Sequence, residues 1–188
     1  MERPNKIEWY FQIAKDVALR SPCISRRRFG AILVKDDAII ATGYAGTVRG
    51  AINCGVGCTC LKDLYGEEPY KSYEHCASIH GEMNAIINAA RVGISTVGAT
   101  LFLSEVNDRN DRPCHLCRRF IIQAGIKDVY YYKKEVTNKM HRTGFLSWSN
   151  VQLPIFHEMV SEEWVKLEND WIQDQINNAP KNTKKESF

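Results

Sequence analysis

HGEMNAIINAARVG, residues 80–93, opens with a histidine, a glycine and a glutamate and then runs on as an apolar helix that Gly93 ends. About thirty residues later PCHLCRRFII, residues 113–122, begins a second apolar helix with two cysteines, and a glycine again follows it. Between and after them, ATLFLS (99–104) and KDVYYY (127–132) read as strands. Strand–helix–strand alternation implies a parallel portion of sheet with covering helices. Upstream, AILV (31–34) and AIIATG (38–43) flank a short polar KDD turn, which is a hairpin pattern. The hairpin makes the sheet mixed. The expected fold is α/β, a three-layer αβα arrangement around a mixed five-stranded sheet.

Around this centre, residues 5–19 carry Tyr10, Ile13, Ala14, Val17 and Ala18 at helical spacing. Residues 46–79 are rich in Gly and Cys without a sustained period and read as a long loop, a kind that is uncommon unless something organises it. A short helix is expected after residue 132. NVQLPI (150–155) reads as a last strand, and residues 158–176 as a helix with Trp164, Leu167, Trp171 and Ile172 at helical spacing. This gives a domain over 1–157 with 46–79 as a Cys-rich insertion, a C-terminal helix over 158–178, and a polar tail, 179–188, expected to be disordered.

The chain has 188 residues, enough for one domain with a real core. No run approaches the ~18–20 apolar residues of a membrane span, and MERPNKIEWY has no apolar signal-peptide core. The expectation is a cytoplasmic protein without a membrane partner. A net charge of +3 is too small to argue for nucleic acid. Seven cysteines are many for a reducing compartment, and an odd count fits poorly with a fully paired disulfide framework, so metal ligation is the first alternative.

Zinc takes nitrogen and thiolate ligands tetrahedrally, and a catalytic site keeps one position open for water. His80, Cys114 and Cys117 supply three such ligands. A helix N-terminus lowers thiol pKa, so both cysteines sit where thiolates form readily, and Pro113 suits the first positions of a helix. Glu82 lies near the metal without having to bind it. Two thiolates cancel the formal charge of Zn²⁺, which weakens its pull on a bound water. A carboxylate that accepts and returns protons makes up that deficit.

The combination H-x-E…P-C-x-x-C matches the zinc-deaminase signature, and the sequence resembles the cytidine and deoxycytidylate deaminase superfamily, most nearly its deoxycytidylate (dCMP) branch. HGEMNAIINAARVG is similar to that branch's HAE-x-NAI helix, with Gly81 in the usual alanine position. RRRFGAILVKDDAIIATGYAG (26–46) resembles its basic, glycine-flanked hairpin, and QAGIKDVYYY (123–132) the strand after its cysteine helix. The likeness covers roughly residues 5–135. It implies a cytidine-deaminase-like fold, one catalytic zinc, and hydrolysis of a cytosine nucleotide, dCMP to dUMP plus ammonia, with Glu82 moving the protons. It also implies that the Gly81 amide holds the ring carbonyl, and that the protein is a homo-oligomer.

Other candidate positions come partly from the resemblance and partly from where the sequence departs from it. Arg26 and Arg27 match the family's basic pair and suit a phosphate, as do Arg109 and Arg112 in SEVNDRNDRPC (104–114), a loop longer than the family's by about six residues. Glu105 and Asp108 of that loop are candidates for sugar hydroxyls. In Gly43-Tyr44-Ala45-Gly46, Tyr44 and Ala45 occupy the sugar side of the pocket, but Ala45 replaces an asparagine and loses its hydrogen bond. Cys54, Cys58, Cys60, His75 and Cys76 form a second cluster, and some members of the branch hold a structural zinc in this insertion. Alternatives are deamination of another free base, nucleoside or modified nucleotide, a polynucleotide-editing deaminase, and a catalytically silent zinc-binding assembly module. The presence of Glu82 argues against the last, since a structural zinc has no need of it.

Overall fold

The computed structural model describes residues 3–23, 27–54, 60–66, 75–106, 112–132 and 155–177. Arg26, Cys58, Asp108, Arg109, the helix expected after residue 132 and the tail 179–188 lie outside the described residues.

The chain starts with α1 (Lys6–Ala18), capped by Asn5, whose side chain accepts from the Glu8 amide at 2.9 Å. The hairpin follows as β1 (Phe29–Lys35) and β2 (Ala38–Tyr44), with the KDD turn placing Asp36 and Asp37 at positive φ, 47° and 64°. Asp tolerates the left-handed region better than most side chains, which is why this dipeptide turns the chain. The interval read as one long loop contains β3 (Gly46–Thr47), α2 (Leu61–Leu64) and β4 (Ser78–Ile79). β3 and β4 pair antiparallel, Gly46 opposite Ile79, and close the insertion at its base. That pairing delivers the chain to α3 (Gly81–Arg91) beside the end of β2.

Then come β5 (Thr100–Glu105), α4 (His115–Gln123), β6 (Asp128–Tyr132), β7 (Ile155–Met159) and α5 (Glu162–Asn177). The sheet order is β2-β1-β5-β6-β7. β5 and β6 are parallel, and the remaining pairs are antiparallel. The expected mixed five-stranded sheet is present; of the strand expected over 150–155, residues 150–154 lie outside the described residues, and the described β7 runs on to Met159. Residues 158–159, expected in the final helix, belong to β7.

Alternation along the central strands divides the core into two faces. Ile32, Val34 and Phe102 pack with Tyr10, Phe11 and Ala14 of α1 on one face. Ala31, Leu33, Leu101 and Leu103 pack on the other with Ala85 and Ala89 of α3, Ile121 of α4 and Trp164 of α5. Trp164 is 1% exposed, whereas Ile172 is 45% exposed, so only part of the predicted apolar stripe of α5 is covered. No helix among the described residues is long and apolar enough to cross a membrane.

Two glycines let elements approach closer than a Cβ would allow. A Cβ on Gly30 would stand 2.3 Å from the Ala14 carbonyl oxygen of α1, and one on Gly43 would stand 2.1 Å from the Ala85 nitrogen of α3. Both helices therefore rest directly on the hairpin backbone.

Candidate active site

α3 and α4 bring their N-terminal ends together on the same face of the sheet. His80 precedes α3 in an extended conformation, and Cys114 occupies the same position before α4, its sulfur accepting from the Cys117 amide at 3.5 Å. His80 Nδ1 stands 3.4 Å from Cys114 Sγ and 3.3 Å from Cys117 Sγ. Among the described residues this is the one group of three whose ligand atoms all lie within 4.8 Å of one another.

The donor set and spacing fit zinc. Zn–N of about 2.0–2.1 Å and Zn–S of about 2.3 Å, at the tetrahedral angle, separate nitrogen from sulfur by about 3.5 Å. The observed separations fall just short of that. Three protein ligands leave the fourth position for water or substrate, the arrangement of a catalytic rather than a structural zinc.

Without a cation the two thiols divide their protons unequally. The hydrogen bond from Cys117, and further the His80 imidazole, hold Cys114 down to about 3, against the opposing effect of burial. Cys117 is pushed well up, first by its hydrogen bond to Cys114 and then by burial. Burial alone would lower His80, but its hydrogen bond to Cys114 and the charges of Glu82 and Cys114 leave it raised.

Glu82 is 4% exposed, and burial raises its carboxyl above the usual carboxylate range, against the pull of His80. A bound dication works in the same sense as His80. A carboxyl balanced between those influences can both take and return a proton.

α3 is pinned to β2 by side chains that sequence reading passed over. Asn84 Nδ2 donates to the Tyr44 carbonyl at 2.8 Å, and Asn88 Nδ2 to the Thr42 carbonyl at 2.8 Å. Two asparagines four residues apart in an apolar helix were the available signal. Gly81 is crowded, since a Cβ there would meet the Phe29 and Gly43 carbonyl oxygens at 3.2 and 3.3 Å. Lys62 of α2 was also missed. It is 4% exposed, and its charge acts on His80.

The remaining expected positions are distributed as follows. Arg27 is half-buried just before β1, and Tyr44 is exposed at the end of β2. Ala45 is buried, and its amide donates to the Phe29 carbonyl at 2.8 Å, so neither its side chain nor its N–H is available to a sugar. Glu105 is fully buried at the end of β5. Arg112 Nη2 lies 2.5 Å from Glu158 Oε2 of β7, and its guanidinium covers the Trp164 ring at 5.4 Å, so the group offered to a phosphate is engaged by the C-terminal segment. Among the described residues Cys54, Cys60, His75 and Cys76 do not gather into a second three-ligand group. His75 is stacked on Tyr65, with centroids 4.0 Å apart.

Comparison with known proteins agrees with this geometry. Residues 4–133 match the family described as the cytidine and deoxycytidylate deaminase zinc-binding region. ComE operon protein 2 of Bacillus subtilis is 38% identical over 133 residues, which cover 70% of this chain and 61% of that protein. The deoxycytidylate deaminase of Mycobacterium phage D29 is 35% identical over 139 residues, 71% of this chain and 99% of that one. That of Schizosaccharomyces pombe is 34% identical over 151 residues, 80% of this chain but 44% of that one. Among the curated relatives it matches, the chain spans from 38% to 99% of the relative's own length, and 61% and 44% of the Bacillus and Schizosaccharomyces proteins. Among solved structures, a dCMP deaminase from the cyanophage S-TIM5, in complex with dCMP and dUMP, is 32% identical, covers 70% of this chain and 83% of its own, and superposes with a TM-score of 0.53. With residues 4–133 matched by that family's model and relatives 34–38% identical, the chain belongs to the cytidine and deoxycytidylate deaminases of the zinc-binding type.

Proposed function

We propose that the protein hydrolyses the exocyclic amine of deoxycytidylate, converting dCMP and water to dUMP and ammonia. The observation that carries this reading is the buried Glu82 beside the His80–Cys114–Cys117 group, within reach of Cys117. Its likeness to deoxycytidylate deaminases, one of them holding dCMP and dUMP, supplies the substrate.

His80, Cys114 and Cys117 would hold zinc, which when bound would supply the Lewis acidity that makes water nucleophilic near neutral pH. Glu82 takes a proton from that water, passes one to the ring nitrogen of the cytosine, and delivers another to the departing amine. The Gly81 amide, at the start of α3, orients the ring by its carbonyl. The carbon–oxygen bond forms first, as the ring nitrogen takes one of the water's two protons; the carbon–nitrogen bond then breaks as the amine takes the other, and ammonia leaves behind a ring carbonyl beside a protonated ring nitrogen.

Phosphate recognition falls to Arg26, Arg27 and Arg109, with Tyr44 beside the sugar. A second, structural zinc drawn from Cys54, Cys58, Cys60, His75 and Cys76 would organise an insertion short of apolar residues. The reading includes a homo-oligomer in the cytoplasm, in keeping with a soluble nucleotide substrate. The buried Ala45 and the engaged Arg112 favour, as a second reading, deamination of a different cytosine nucleoside or modified nucleotide.

Glu82→Gln tests the proton role. It should retain zinc and the fold while turnover falls about a hundred- to ten-thousandfold, the range of general acid–base catalysis. A zinc-loaded Glu82→Gln protein with wild-type turnover would sink the mechanism.

A further inference from the structure

The C-terminal segment reaches back to the cysteine turn on both sides. Arg112, two residues before Cys114, is bound by Glu158 of β7. That carboxylate also accepts from the Trp164 indole at 2.9 Å and from the Tyr131 hydroxyl. Arg118, the residue after Cys117, donates through Nε to Glu168 Oε1 of α5 at 3.0 Å. Arg119 donates through Nε to the other oxygen, Oε2, at 2.9 Å. Glu168 is 7% exposed and the Arg118 side chain 15%, so the carboxylate and the Arg118 limb are buried while the Arg119 limb is partly open to solvent.

We infer that Glu168 is a positioning residue for the metal site, setting the roll of α4 about its axis and so the direction of the Cys114 and Cys117 sulfurs. Adjacent helical residues diverge by about 100° around the axis. One contact would let the helix roll beneath it, but two neighbouring guanidiniums held by the two oxygens of one buried carboxylate leave a single orientation. The tolerance is small. A sulfur at a radius of about 4 Å moves about 0.2 Å for a roll of about 3°, and metal–ligand distances are held to about that margin. Glu158, acting through Arg112, fixes the entry to the same turn.

This inference rests on the zinc reading above and not on the choice of substrate. Its test is the metal itself. Wild type, Glu168→Gln and, as a charge-matched control, Glu163→Gln at an exposed position of the same helix are loaded with zinc or cobalt. Zinc release to a chelator is timed, and the thiolate-to-cobalt absorption is recorded. Glu168→Gln should release zinc about ten- to a hundredfold faster, the usual consequence of losing an outer-shell partner, with an altered cobalt spectrum. Glu163→Gln should match wild type. Should Glu168→Gln fail to fold, Arg119→Gln breaks one limb of the fork and should accelerate release to a smaller extent. Wild-type release and a wild-type cobalt spectrum in whichever of the two variants folds would overturn the inference, even if melting were lowered. Wild-type protein that binds neither metal would instead bring down the zinc reading, and this inference with it.

Discussion

Gly43→Ala should damage catalysis through the packing of α3 on β2. The added Cβ would lie 2.1 Å from the Ala85 nitrogen, 2.4 Å from the Gly81 carbonyl oxygen and 2.7 Å from the Asn84 carbonyl carbon. All three are backbone atoms of the first turns of α3, so no flexible side chain can move aside. Ordinary contact begins at 3.4 Å, and α3 must withdraw from β2 by about 1.3 Å to restore it. That motion carries His80 and Glu82 with it and strains the Asn84 and Asn88 bonds to β2. Overpacking of this kind costs about 1–3 kcal/mol, and a misplacement of about 1 Å costs about a hundredfold in rate. The assay is kcat/KM from ammonia release, beside thermal unfolding. Gly98→Ala serves as the control, because Gly98 has φ of +78° and open space around it. It should lose about 1–2 kcal/mol to left-handed strain with activity intact. A Gly43→Ala enzyme with wild-type kcat/KM and unchanged melting would refute the close-approach argument.

Two other outcomes follow from the packing. Leu101→Ala removes a fully buried side chain from the face beneath α3 and α4 and should cost about 2–5 kcal/mol in urea unfolding, while folded protein still binds zinc. Burial, reinforced by its bond to Glu158, pushes the Tyr131 hydroxyl upward, so the folded state keeps a proton that the unfolded chain loses near pH 10. Its contribution to stability is complete below that pH and is lost as pH rises further. The urea midpoint should therefore fall above pH 10, and less steeply in Tyr131→Phe. An identical decline in both proteins would contradict the assignment.

The legible parts of this molecule were those set by local chemistry. His80 and the C-x-x-C pair open their helices where a zinc needs them, and the glycines expected to end α3 and α4 do so, Gly93 and Gly125 having φ of 74° and 67°. The KDD turn and the alternation on β1 and β5 also express short-range rules. β7 runs past the expected end at residue 155 because its strand character comes from pairing with β6 across a long sequence separation, Tyr130 opposite His157. The start of α5 was set too early for the same reason, although Ser161, whose carbonyl accepts from Trp164, marks it in the chain. α2 has four residues, too few to show a period. Arg112 looked like a phosphate ligand because its partner, Glu158, lies 46 residues away. Glu168 was silent for the same reason, its two arginines lying 50 and 49 residues upstream.

The most direct test of hydrolytic deamination is to incubate zinc-loaded protein with dCMP in ¹⁸O-labelled water and analyse the products by mass spectrometry. The account predicts dUMP carrying one labelled oxygen on the ring carbon that bore the amine, with ammonia released in equal amount. Unchanged dCMP, or dUMP formed without the label, would contradict it.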